Sequence, residues 1–204
     1  MADKKFLMSV DEECEAALVS VGFQKLRKGR VVWCISPEFL GWVGLNRGNH
    51  GDLVRINPFV GVHAVAVMKL CCSLDENKYV KGDIATYAVH LGELIPDELN
   101  FEFKIGDDLS IEAARLATVI HKVALTYMNS IADYDVLLSL VTDRMPMLGG
   151  YPERYVAILH LLGRSREAAQ FVKDVMNKTD DFAKYFSESF QKFGQNFKKM
   201  SVES

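Results

Sequence analysis

The chain has 204 residues, 49% of them hydrophobic and 25% charged, with a formal net charge of −3. That balance belongs to an ordinary globular chain able to bury one sizeable core, and it excludes a disordered, fibrous or collagen-like polymer. So mild a charge is no electrostatic footprint for nucleic acid or an anionic membrane, and the longest apolar run, Val60 to Met68 with His63 inside it, falls well short of the roughly 20 residues of a spanning helix.

Ser9-Val10-Asp11-Glu12 has the form of a capping box and predicts the start of a helix. Val10, Cys14, Ala17, Leu18 and Val21 keep helical spacing, the acids Asp11, Glu12 and Glu13 suit its positive end, and Gly22 ends it. Phe23 to Leu26 reads as a first short strand. The continuous run Val31-Val32-Trp33-Cys34-Ile35 predicts a central strand covered on both faces. Trp42 to Asn46 and Leu53 to Asn57 alternate as strands with one wetter face, joined by a Gly-rich hairpin loop over Arg47 to Asp52. Val43, Leu45, Val54 and Ile56 share the buried face, while Asn46, Arg55 and Asn57 point the other way. Beyond Pro58, Phe59 to His63 either extends that strand or bends away from it. Ala64 to Cys72 then reads as an apolar helix, Thr86 to Leu91 as a strand, and Phe101 to Ile105 as a further strand with Glu102 and Lys104 outward.

From Ser110 the period becomes helical. Ser110 to Ile131 predicts a long, largely buried helix with a narrow polar stripe of Glu112, Arg115, Lys122, Thr126 and Asn129. Asp135 to Thr142, Tyr155 to Leu162 and Ser165 to Met176 follow as helices, with Met145 to Gly150 a connection and Gly163 dividing a helical hairpin. The last helix carries Phe182, Phe186, Phe190, Phe193 and Phe197 in one stripe, expected to pack on the chain's own helices, with a homodimer or partner groove as its other use. These elements predict an α+β fold: an N-terminal helix, a mainly antiparallel sheet of about five strands, and a helical C-terminal half packed on it. One domain over 1–204 is expected, a helix-plus-sheet part to 109 and a helical part from 110.

Cys14, Cys34, Cys71 and Cys72 form no C-x-x-C pair and no Cys/His cluster, so they predict reduced thiols in or near the core and no metal centre. With no signal-peptide apolar core ahead of Asp11, the expected compartment is the cytoplasm. The five histidines are dispersed. His63 and His121 lie on apolar stretches and read as core residues, whereas His50 sits in the loop with Arg47 and Asp52, close to Arg55, the one place where an enzyme's site is conceivable. A Cys34 nucleophile served by a distant histidine has no further support, and the chain contains no G-x-S-x-G, phosphate loop or dinucleotide fingerprint, so no catalytic residue and no cofactor is assigned.

The charge is unevenly spread. Residues 74 to 112 hold ten acids against three lysines, a local net of −7, while Lys25, Arg27, Lys28 and Arg30 form a small basic cluster. Glu93, Asp97, Glu98, Glu102, Asp107 and Asp108 are the candidate partner-binding residues, an acidic face suited to a basic protein.

At Gly41-Trp42-Val43-Gly44-Leu45-Asn46, Ile56-Asn57-Pro58-Phe59-Val60-Gly61-Val62-His63 and Leu91-Gly92-Glu93-Leu94-Ile95-Pro96 the chain resembles an uncharacterised family of small bacterial α+β proteins, similar to immunity proteins of polymorphic toxin systems. The resemblance covers about the first half of the chain, rests on scaffold motifs and carries over no functional residue. It implies a fold relation, and together with the missing catalytic constellation, the cysteine usage and the acidic segment it leads to the expectation of a non-enzymatic cytoplasmic inhibitor that masks a basic toxin domain; the mild charge and short apolar runs leave nucleic acid and membrane out as partners. The alternatives are a structural or adaptor subunit using the Phe stripe and an enzyme with its site at the 47–55 hairpin.

Overall fold

A computed structural model describes residues 4–27, 29–96, 100–145, 151–177 and 181–202, with backbone alone for residues 27, 181–189 and 202. The fold is α+β, with a six-stranded antiparallel sheet. The chain divides into two compact units, the first made of residues 1–63 and 82–132 and the second of 64–81 and 133–204.

The first unit opens with α1 (Lys4–Ser20). Ser9 is not its cap. It lies inside the helix, where its hydroxyl bonds the carbonyl of Lys5 at 3.2 Å, because the apolar period extends back through Phe6 and Leu7. Gly22, at φ +106°, ends the helix as Gly22 and Phe23 return their N–H groups to the carbonyls of Val19 and Leu18 at 3.0 and 3.1 Å. A Cβ there would also meet Trp33 at 2.7 Å, so glycine serves both the turn and the packing.

The strands are β1 (Gln24–Arg27), β2 (Arg30–Cys34), β3 (Phe39–His50), β4 (Leu53–Ala64), β5 (Tyr87–His90) and β6 (Phe101–Lys104), ordered β1-β2-β3-β4-β5 with β6 also on β4. The expected loop over Arg47 to Asp52 is mostly strand: β3 runs on to His50 and the turn is Gly51-Asp52. Arg47 explains the extension, since α1 holds its guanidinium through the Asp11 carboxylate at 2.7 Å and the Leu7 carbonyl at 3.2 Å. β4 continues straight through Pro58. Leu53 to Ile56 pair with β6 and Phe59 to Val62 with β5, so proline falls in the gap between two partners, where its missing N–H breaks no rung of either ladder.

Val31, Val43, Val54, Ile56, Val60, Phe101 and Phe103 are buried on the strands. Against them run α4 (Leu109–Val119), a π-helical turn at Ile120–Ala124 and α5 (Leu125–Ser130). This helical run is less buried than its composition predicts. Ala113, Leu116, Ala117, Ile120, Ala124, Met128 and Ile131 form its buried stripe, whereas Ile111 and Val123 are exposed, because the run is covered along one side only. His121 is exposed and packs edge-on to Trp33 at 5.9 Å, not in the core. Cys34, at the end of β2, is likewise exposed, while Cys14 and Cys71 are buried. α3 (Leu91–Leu94) is a single turn after β5.

The second unit is helical: α2 (Val65–Leu74), α6 (Tyr134–Arg144), α7 (Pro152–Leu161), α8 (Ser165–Met176) and α9 (Asp181–Val202). Asp133 caps α6 by accepting from the N–H groups of Asp135 and Val136 at 2.9 and 3.1 Å, and Pro152 occupies the first turn of α7. Phe190, Phe193 and Phe197 are fully buried within this unit, with successive ring centroids 5.3 and 6.4 Å apart. Gly194 lets α8 approach, since a Cβ there would meet the Met176 sulfur at 2.9 Å. Asn196 ties α9 to the end of α2 by donating to the Leu74 carbonyl at 2.8 Å. Among the described residues no helix is long and apolar enough to cross a membrane.

Candidate functional site

β6 and the start of α4 are joined by Ile105 to Asp108, a connection too short to let the helix move far from the strand edge. Asp108 caps α4, accepting from the Ser110 N–H at 3.0 Å and its hydroxyl at 2.7 Å. These two bonds hold its carboxyl below the ordinary carboxylate range. One turn on, Glu112 accepts the Glu102 N–H at 3.0 Å and pairs with Arg115 at 2.7 Å. The Arg115 hydrogen bond holds Glu112 below its ordinary range, against partial desolvation that pushes the other way. Arg115 also donates to the Asn100 carbonyl at 3.1 Å and lies 4.4 Å over the Phe101 ring. Two side chains of α4 thereby take backbone groups of the β6 segment that a neighbouring strand would otherwise use.

Between strand and helix opens a cleft of about 370 Å³ lined by Glu102, Phe103, Asp107, Asp108, Leu109, Ile111 and Glu112. Four of the seven are carboxylates. Ile111 is 70% exposed and Ile105, just before Asp107, is 53% exposed, so apolar surface stands in water beside four carboxylates, of which Glu102 and Glu112 are paired with Arg55 and Arg115.

Of the six acids singled out in the sequence, the structure brings together Glu102, Asp107 and Asp108. Glu93 is elsewhere, in the α3 turn, where it accepts the His90 N–H at 3.1 Å while the His90 ring accepts from Gly92. Asp97 and Glu98 lie outside the described residues. Sequence reasoning missed Glu112 and Ile111. Glu112 stands four positions after Asp108, the spacing that sets two side chains on one helix face, and that was the available signal.

The hairpin residues do not converge. Arg47 is bound to Asp11, and Arg55 crosses to Glu102 opposite it on β6 at 2.8 Å. His50 and Asp52 are exposed at the turn. His63 is buried with both ring nitrogens engaged, one beside the Ile84 carbonyl at 2.7 Å and the other accepting the Gly82 N–H at 3.3 Å. Among the described residues no group of three or more His, Cys, Asp or Glu side chains is placed to hold a metal ion. Of the Phe stripe, Phe190, Phe193 and Phe197 are enclosed in their own unit, while the side chains of Phe182 and Phe186 lie outside the described residues.

No protein-family model matches the chain, and no curated protein and no solved structure is significantly similar to it.

Proposed function

We propose that the protein is a non-enzymatic, cytoplasmic protein-binding module, and that it acts as an immunity-type inhibitor that masks a basic bacterial toxin domain at the β6–α4 cleft. The observation that carries this reading is the convergence of Glu102, Asp107, Asp108 and Glu112 on one cleft beside the exposed Ile111. The exposed Ile111 supplies binding energy when a partner covers it, and the carboxylates beside it steer a cationic partner in and reject acidic ones. Masking needs surface complementarity alone; the inhibitor supplies no chemistry of its own.

The test is co-purification with the tagged full chain and with a double variant, Asp107→Lys with Ile111→Asp, identifying bound proteins by mass spectrometry and assaying the captured protein for toxicity in cells with and without the chain. A stoichiometric basic partner, held by the parent chain, lost with the variant and neutralised on co-expression, is the expected result. Capture by both forms alike would move the interface elsewhere, and a captured partner without toxicity would end the inhibitor reading.

A further inference from the structure

The chain leaves the first unit after His63 and re-enters it at Gly82, and a single buried imidazole joins these two points. The His63 ring, 1% exposed, stands with Nδ1 at 2.7 Å from the Ile84 carbonyl and with Nε2 accepting the Gly82 N–H at 3.3 Å. A carbonyl needs a donor and an amide N–H needs an acceptor, so the ring in this site is neutral with its proton on Nδ1. Gly82 is held on its other side as well, its carbonyl accepting from Trp42 Nε1 at 3.0 Å. It has φ +72°, and a Cβ would meet Leu26 at 2.3 Å. The segment is further fastened by the Thr86 N–H on the Val62 carbonyl at 2.7 Å.

We infer that His63 is an acid-released latch: it fastens the 82–84 re-entry segment to β4 while the imidazole is neutral and releases it when Nε2 is protonated. A proton on Nε2 sets two N–H groups against each other across 3.3 Å in a site without water access, so charging the ring removes the Gly82 bond while leaving the bond to Ile84 in place. Among the described side chains, the charged and titratable groups on the surrounding elements include Asp83 of the segment, paired with Arg30 of β2 at 2.5 Å, Arg55 of β4, paired with Glu102 of β6, Lys104 of β6, Arg47 and His50 of β3, Lys25 of β1, and Tyr87 and His90 of β5. The ion pairs leave Asp83 and Arg55 with opposite charges of their own to answer.

The sign follows from linkage. A released or unfolded imidazole takes up a proton near pH ~6.5 that the latched ring cannot accept, so the latch is at full strength above that pH and weakens below it. Amide hydrogen exchange of the full chain, corrected for intrinsic chemistry, reads this directly at Gly82. Its protection should fall by roughly tenfold per pH unit below about pH 6.5, down to the level of whatever else secures the segment, while amides of β2 and β3 keep theirs. His63→Gln presents an amide donor and an acceptor without a titrating group, and it should abolish the pH dependence at Gly82. Should that variant fail to fold, 15N spectra of the parent's ring decide the matter, with Nε2 unprotonated while Gly82 is protected and protonated once it is not. Flat protection at Gly82 from about pH 8 to about pH 5, an equal loss across β2 and β3, or an unchanged slope in His63→Gln would each overturn the latch.

Discussion

Glu15 shows how much of the first unit hangs on single buried charges. It is a helical residue 2% exposed, and its carboxylate meets Lys25 at 2.5 Å while accepting the Gly29 N–H at 2.5 Å. One turn earlier Asp11 holds Arg47. Two acids of α1 four residues apart therefore grip the β1–β2 turn and β3. Glu15→Ala leaves the Gly29 N–H without that acceptor and should cost about 1–3 kcal/mol in urea unfolding, whereas Glu15→Gln, which keeps an acceptor, should cost clearly less. The sequence marked Asp11 as a friend of the helix dipole. Its role as an anchor was not legible, because the partner lies 36 residues away and nothing local announces it. The cysteines divide in the same way. Burial pushes the Cys14 and Cys71 thiols up, as their apolar periodicity suggests, but Cys34 ends a strand at the surface, a fact about neighbours, not about its own run.

At the scale of elements, β4 is the strand on which the sheet turns, pairing with β6 along its first half and with β5 along its second. Its composition was readable as two strand-like runs around a proline. That they form one strand was decided by where the partners stop. Gly61 sets the limit on the second half, since a Cβ there would lie 1.9 Å from the Tyr87 carbonyl oxygen and 2.6 Å from Ala88 Cα. Both are backbone atoms of the paired strand and cannot rotate away. Gly61→Ala should therefore push β5 off β4 and cost at least the roughly 3 kcal/mol at the top of ordinary overpacking, seen as a lowered urea midpoint together with loss of protection at Tyr87 to His90. The cleft is legible in part at this scale. Alternation along Phe101 to Lys104 placed Glu102 outward, and the acids at 107 and 108 mark the loop, but the return of α4 along the strand edge is what sets Glu112 and Ile111 beside them.

For the whole molecule, the two units carry carboxyls displaced in opposite directions. In the first, Glu112 lies below its ordinary range, so the stability it contributes is present above the unfolded value of about 4 and is lost as pH falls through the folded one; Asp108 is lowered as well but is fully exposed and screened by solvent. In the second, desolvation raises Glu153 and Asp75; folding there is relieved as pH falls, because the folded carboxyl takes its proton first. Glu76 and Glu167 of that unit are lowered by Lys192 and Arg164, but both are fully exposed and screened by solvent. As pH falls below about 4, exchange protection in α4 and β6 should therefore decline relative to α2 and α7, with the opposite order excluding this assignment. The amino-acid sequence by itself determined the α+β class and most of the strands and helices, because binary patterning and turn chemistry act over a few residues. Only the tertiary structure decided that the segment at 64–81 joins the late helices. It alone also decided which acids share a cleft, since each of these depends on contacts between residues far apart in the chain, where the local pattern carries no record of the partner.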